Sequence, residues 1–358
     1  MSEFFLELFS EEIPAKLQKN ARNELLELFT EFFEKKIINF KSKNSFSTPN
    51  RLIILFEGIK SEILQEEQEL RGPKVEAPKE AIEGFLKSNK LEKESLYEKQ
   101  TDRGVFYFAK RAEKKIKVCD LLNENIPIIL DKISWKKSMK WGEFELYWAR
   151  PLKSILAIFD NKNLNFNFHH LKSNNFTSID KDFEEKIKSF KNFKIYFNYF
   201  KKNQVIIDQK KRKIFIQNQL LKVSKRKGLK IEINEKLLEE VTDLVNYPNI
   251  ILCQFSENFL KIPREILIVT MQFHQKYFHT FDSKGNITNN FLVVANNKDK
   301  KGFIKIGNER VINARLSDAE FFWQKNKSKN LVKEISKLKS MNYFKGLGTY
   351  FDKVQRMR

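Results

Sequence analysis

At 358 residues the chain has room for two or three domains, and 41% hydrophobic residues with 34 Phe exclude a disordered protein. Two cysteines, four histidines without zinc spacing, an acidic start and no apolar run near ~18 residues speak against a disulfide scaffold, a metal site, a secretory signal and a membrane span; the expected compartment is the reducing cytoplasm. The 67 Lys and Arg against 46 Asp and Glu give a net charge of +21, which favours an anionic partner such as nucleic acid.

Residues 1–134 are nearly neutral, with 23 basic and 24 acidic side chains. The apolar run Phe4–Phe9 predicts a strand. Leu17, Ala21, Leu25, Leu28, Phe32 and Phe33 recur at helical spacing and predict a helix from about Pro14 to Lys36. Arg51–Gly58 reads as a second strand, Arg71-Gly72-Pro73 as a loop and Glu80–Ser88 as a short helix. Tyr97–Thr101 and Val105–Lys110 flank Asp102-Arg103-Gly104, a hairpin signal. A helix from about Val118 to Ile133 is expected to be interrupted at Pro127.

Residues 135–230 hold 23 basic against 8 acidic side chains, a net of +15 that concentrates most of the excess charge. Leu152–Asp160 and Leu164–His169 read as paired strands about Asn161-Lys162. Phe183–Phe193 and Val205–Lys227 read as helices, the second with Lys210-Lys211-Arg212-Lys213 in one turn. Such clustered cations gain by releasing counterions from a nucleic-acid backbone, so this block is the leading candidate for phosphate contact.

Residues 231–358 carry a net of +7. A helix near Glu235–Val245 is stopped before Pro248, and Ile250–Phe255 reads as a strand. Tyr277–Asp282 and Phe291–Ala295 are expected to pair across Ser283-Lys284-Gly285. Helices are expected at about Asn308–Lys325 and Leu331–Lys339, and Tyr350–Arg358 is helix-like with no stop signal after it, as in a chain that continues.

The sequence has no Walker loop, no Gly-x-Ser-x-Gly elbow and no cluster of acidic metal ligands, so no catalytic set is expected. Two aromatic–basic clusters stand out instead. Trp135-Lys136-Lys137-Ser138-Met139-Lys140-Trp141-Gly142, with Tyr147-Trp148-Ala149-Arg150-Pro151, offers Lys137, Lys140 and Arg150 to phosphates. Its rings either stack on unpaired bases or belong to the core beside snorkelling lysines. In His274-Gln275-Lys276-Tyr277-Phe278, His274 and Lys276 are ligand candidates on a connecting segment. On the helix from Asn308, Val311, Arg315, Ala319 and Phe322 share a face; if it is buried, Arg315 must snorkel at its edge. Arg310 lies to the side, and the start at Gly307-Asn308 leaves N–H groups for a phosphate. Alternatively Arg310 and Arg315 pair with Glu309, Asp318 or Glu320 and hold the helix.

These motifs carry a family resemblance. The chain resembles the N-terminal part of the beta subunit of bacterial tetrameric glycyl-tRNA synthetase. Glu11-Glu12-Ile13-Pro14, Thr48-Pro49-Asn50-Arg51-Leu52 (Asn50 a departure), Arg71-Gly72-Pro73, Gly84-Phe85, Lys137–Gly142 and Arg150-Pro151 fall in the family's order. So do Glu240-Val241-Thr242 with Leu244-Val245 and Tyr247-Pro248, Met271 with His274–Phe278, and Gly307-Asn308-Glu309-Arg310-Val311. Ala314–Phe322 and Leu347-Gly348-Thr349 with Asp352-Lys353 complete the series. The clearest departure is Asn174-Asn175-Phe176-Thr177, where the family has a Gly-His-Arg segment.

The resemblance implies a beta subunit that binds and positions tRNA(Gly), in an alpha2beta2 ligase whose alpha subunit uses ATP and Mg and holds the activation site. It implies no cofactor and no catalytic residue in this chain, and an HD-like and an anticodon-binding domain beyond it. It also implies partial similarity to the body and tail of archaeal CCA-adding enzymes. The expected fold is multidomain α+β with mixed sheets and helices: an N-terminal α+β domain at 1–134, a basic tRNA-binding α+β region at 135–230, an α+β domain with the main motif cluster at 231–345, and at 346–358 a helix leading onward. The competing readings are a generic RNA-binding or ribosome-associated protein without a synthetase partner, and an independent nucleotidyltransferase.

Overall fold

In the computed structural model the first strand, β1 (Ser2–Ser10), is buried along nearly its whole length, so its apolar run does not alternate with polar residues. Residues 2–65, 68–89, 91–102, 104–111, 114–181 and 184–358 are described; they fall into two units, 1–209 and 210–358. The architecture is α+β with several separate sheets.

In the first unit β1 is followed by α1 (Ala15–Lys35), β2 (Ser42–Thr48) and β3 (Arg51–Ile59). The sequence pattern does not mark β2, whose Ser-Lys-Asn-Ser stretch is polar; it is an edge strand paired antiparallel to β3. Next come β4 (Glu62–Gln65), β5 (Gln68–Lys74), α2 (Lys79–Asn89), β6 (Leu96–Thr101), β7 (Gly104–Arg111) and β8 (Lys114–Lys117). The β6–β7 pair bears out the hairpin expectation, although Arg103 in its turn lies outside the described residues. The next helix, α3 (Val118–Leu130), runs through Pro127 rather than breaking there.

Beyond it, β9 (Leu152–Phe159) pairs antiparallel with β1, so strands from both sides of Trp135 share one sheet. The expected partner at 164–169 is corrected: β9 pairs with the two-residue β10 (Lys162–Asn163), while β11 (Asn167–Phe168) pairs with β12 (Leu171–Asn174), itself parallel to β9. Asp160 and Asn161 take φ of 51° and 61°, the left-handed pair that a two-residue hairpin turn requires. The helix the sequence predicts over Phe183–Phe193 is corrected: β13 (Phe176–Lys181) pairs antiparallel with β14 (Glu184–Ser189), while residues 182 and 183 lie outside the described residues. The helix is α4 (Phe193–Lys202), capped by Asn192, whose side chain accepts from the Ile195 N–H at 3.0 Å. Its run Phe-Lys-Ile-Tyr-Phe-Asn-Tyr-Phe has strand propensity; burial of Tyr196 and Phe200, one helical turn apart, overrides it.

The sheet β11-β12-β9-β1-β3-β2 is covered on both faces. Phe4, Leu6, Leu8, Leu52, Ile54, Phe56, Ile155 and Ala157 pack with α1 and α3; the alternate residues Phe5, Ile53, Leu55, Leu156 and Ile158 pack with Ile179, Phe190, Tyr196 and Phe200.

The second unit is built on α5 (Gln209–Arg226), α6 (Glu235–Thr242), β15 (Asn249–Gln254), α7 (Arg264–Val269), β16 (Phe278–Phe281) and β17 (Ile287–Ala295). The antiparallel sheet β15-β17-β16 includes the expected pairing of the last two strands. One face packs Cys253, Phe291 and Val293 against Ile312 and Leu316; the other packs Phe278 and Leu292 against Ile216 and Leu220 of α5 and Leu238 of α6. Burial pushes the Cys253 thiol up to about 12, which makes it an inert core residue. The long helix α8 (Phe303–Lys327) begins five residues earlier than the spacing suggests. After it come α9 (Leu331–Glu334) and α10 (Tyr350–Met357), the latter started by a Thr349–Asp352 capping box. No described helix is long and apolar enough to cross a membrane.

Candidate nucleic-acid interface

Helical geometry divides the basic run of α5. Arg212 lies one turn from Ile216 and two from Leu220, on the buried stripe, and is fully buried. Its Nε donates to the Thr242 carbonyl at 2.8 Å and its Nη2 lies 3.5 Å from Asp243 Oδ1. Arg212 is therefore corrected from a phosphate candidate to a structural cation tying α5 to the end of α6. Lys213 is also spent within the fold: it bonds Glu235 and lies 3.3 Å from Glu239, and these bonds raise its pKa. Lys210 and Lys211 are exposed, as are Lys222, Lys225, Arg226 and Lys227 toward the other end of α5.

In the first unit, Met139 and Trp148 form an antiparallel bridge, with N–H···O distances of 2.8 and 3.2 Å, that closes the loop 139–148. Its tryptophans point to two tasks. Trp148 is buried and meets Trp135 edge to face at 5.1 Å, so the core reading holds for this pair. Trp141 packs partly on the same core and stands edge-on to His170, on which Phe144 stacks at 3.6 Å. The rest of the loop stays outside. Tyr147 is 60% exposed with Lys140 Nζ 4.9 Å from its ring centroid, Lys137 is exposed, and exposed Arg150 places Nη1 3.7 Å from Met139 Sδ. Three cations in and beside this loop, with its open tyrosine ring, suit a nucleic-acid strand: cations for phosphates, the ring for a base.

The candidates on the remaining motifs separate similarly. His274 is exposed at the end of the turn after α7, whereas Lys276 is ion-paired with Glu240 on α6 at 3.0 Å. Arg310 and Arg315 are both exposed. The buried face of α8 is Ile312 and Leu316, about 100° round from the expected Val311–Arg315 face, so Arg315 has no apolar surface to cross. The expected phosphate site at Gly307-Asn308 is also corrected. Those residues lie inside α8, and at its true start the N–H groups of Ile304 and Lys305 donate to the Asp299 carboxylate at 3.2 and 2.8 Å. Glu309 accepts from the Gln254 N–H at 2.8 Å and lies 3.8 Å from Lys305.

Comparison with known proteins gives this arrangement a family. Residues 4–358 match the family described as glycyl-tRNA synthetase beta subunit. The chain belongs to that family. It is 37% identical over 360 residues to the glycine–tRNA ligase beta subunit of Rickettsia felis, and 36% and 37% identical over 358 residues to those of Rickettsia akari and Rickettsia conorii. Each match covers 100% of this chain and 54% of the relative, so the chain spans about half the length of the curated relatives it matches and corresponds to their N-terminal part. In this glycyl-tRNA synthetase beta subunit family member, the short motifs of the sequence bond to one another. The Tyr277 hydroxyl donates to Asn308 Oδ1 at 2.6 Å, Lys276 pairs with Glu240, and Thr349 exchanges bonds with Asp352. Much of what marks the family in this sequence therefore builds the fold.

Proposed function

We propose that the chain forms the tRNA-binding N-terminal part of the beta subunit of a cytoplasmic glycine–tRNA ligase. It holds tRNA(Gly) for charging by an alpha subunit, in an alpha2beta2 assembly. ATP and Mg serve the alpha subunit; this chain contributes cations and rings. The observation that carries the reading is the match over the whole chain to the beta-subunit family, joined to exposed cations at Lys137, Lys140, Arg150, Lys210, Lys211, His274 (when protonated), Arg310 and Arg315. Mechanistically, Lys and Arg set the register of the RNA by charge-assisted bonds to phosphate, and Tyr147 offers a face on which an unpaired base stacks. Residues 1–209 carry the first three of these cations and residues 210–358 the other five.

The test is charging. The alpha subunit alone should activate glycine but charge tRNA poorly, and adding the full beta subunit that contains this chain should restore charging. The chain alone should show no glycine-dependent ATP–pyrophosphate exchange. Robust exchange by the chain alone, or charging indifferent to the beta subunit, would reject the assignment.

A further inference from the structure

In the second unit a cavity of about 610 Å³ opens between the C-terminal end of α5, the segment 229–232, α7 and the end of β16. Its size falls within the ~300–1,000 Å³ of small-ligand sites. The walls are apolar where Leu221, Ile231 and Phe281 contribute, and basic where Lys225, Lys230 and Arg264 contribute. Glu232 is the one carboxylate in the lining, so the cavity is net cationic.

Three features prepare it for a particular kind of ligand. Phe281 is anchored: its backbone exchanges two hydrogen bonds with Lys230, both of 2.8 Å, so the two residues stand side by side in one bridge. Arg264 is exposed, and its guanidinium carbon lies 5.2 Å from the ring centroid of the buried Phe281, so the ring backs an open, flat cation. Lys230 Nζ donates to the Ser283 carbonyl at 2.9 Å, which orients the ammonium while leaving it further donors. Outside the cavity the cations continue along α5 with Lys222, Arg226 and Lys227, all exposed.

We propose that this cavity receives one unstacked nucleotide of an RNA strand. The base stacks on the Arg264 guanidinium, which the buried Phe281 ring supports from behind; Lys225 and Lys230 hold its flanking phosphates, and the strand leaves along the basic end of α5. An inorganic phosphate would use the cations but leave Leu221 and Ile231 wet; an apolar ligand would leave three cations unanswered. A phosphate-linked aromatic ring satisfies both walls. The inference rests on the tRNA-binding reading of the chain and adds a specific place where a base is removed from its stack. The residues concerned are spread from position 221 to 285, so no short motif marks the site.

The test uses the full chain and a five-nucleotide single-stranded RNA with 2-aminopurine at its centre, read by fluorescence, alongside intact tRNA. Binding should change the 2-aminopurine emission. Arg264→Ala should weaken binding of the pentamer about tenfold, the order expected for one lost base contact, with an unchanged circular dichroism spectrum. Arg264→Lys should recover only part of it, since an ammonium keeps the charge but not the plane. Leu221→Trp, at an exposed position on the cavity wall, should abolish the emission change by filling the space. If tRNA binds while Arg264→Ala and Leu221→Trp treat the pentamer as the unaltered chain does, the cavity proposal falls and the tRNA reading stands. If neither tRNA nor pentamer binds, both fall. Adenosine monophosphate binding as tightly as the pentamer, with the same dependence on Arg264, would make this a mononucleotide site and overturn the strand proposal.

Discussion

Glu7 on β1 and Arg51 on β3 meet at 3.2 Å inside the first unit, both buried, and the Tyr196 hydroxyl of α4 donates to the same carboxylate. Phe9 stands opposite Arg51 in the ladder, so Glu7 lies on the same face two residues away. The guanidinium also donates to the Ser178 carbonyl and sits 4.3 and 4.9 Å from the ring centroids of Phe9 and Phe200. One ion pair thus joins β1, β3, β13 and α4.

Removing one partner of such a pair strands the other. Glu7→Ala should cost about 3–5 kcal/mol of stability, while Glu7→Leu with Arg51→Leu together should cost less than the single change. Urea unfolding followed by tryptophan fluorescence measures both, because three of the four tryptophans lie in the first unit. A single variant as stable as the unaltered chain would show that the pair does not hold the sheet to α4.

Burial first, and then the Glu7 charge, push the Tyr196 phenol well above its ordinary range. A raised pKa in the folded state means stability that is complete below the unfolded value near 10. It is lost as pH rises past that value, because the unfolded chain gives up the proton and the folded chain keeps it. Urea midpoints should therefore fall between about pH 10 and 11, and Tyr196→Phe should show a smaller fall than the unaltered chain. Equal slopes would contradict the buried, neutral phenol.

The cations of α5 should split by function. Arg212→Ala should destabilise the fold by about 3 kcal/mol or more, since it removes a fully buried cation that donates to the Thr242 carbonyl and stands 3.5 Å from the Asp243 carboxylate. Lys210→Ala and Lys211→Ala, at exposed positions where any pairing is weak, should each change stability by no more than about 1 kcal/mol. Thermal melts of the three variants decide this; similar melting temperatures would put Arg212 outside the core.

His274 and Arg310, both exposed, should act on RNA rather than on folding. In the assembled ligase, His274→Ala and Arg310→Ala should raise the tRNA concentration needed for charging and leave adenylate formation intact. Normal charging by both would return these residues to a structural role.

Much of the fold was legible because its signals are local. The strands at 2–10 and 51–59, helices α1 and α3 and the β16–β17 pair follow from apolar periodicity and turn residues. What escaped depends on distant packing. The polar edge strand β2 shows no apolar alternation and takes its place by pairing with β3 and by side-chain bonds such as Arg22 to Ser47, and the aromatic run of α4 declares itself a helix only when Tyr196 packs against Phe5 and Phe190. The site was legible as a composition rather than as a list. The charge excess of 135–230 is on the sequence, but whether a cation faces water depends on its place on the helix, and so Arg212 went inward while Lys210 and Lys211 stayed out. Lys276 reads as a free cation in its pentad; only the folded chain brings Glu240, 36 positions earlier, to its side.

The central claim, that the chain grips tRNA through phosphates, is tested most directly by the salt dependence of tRNA(Gly) binding. A plot of log affinity against log salt for the chain should be linear and steeply negative, and Lys210→Ala with Lys211→Ala should flatten it by about one unit per lysine while weakening other RNAs to a similar extent. Binding that is absent, insensitive to salt, or unchanged in slope by the double substitution would contradict the account.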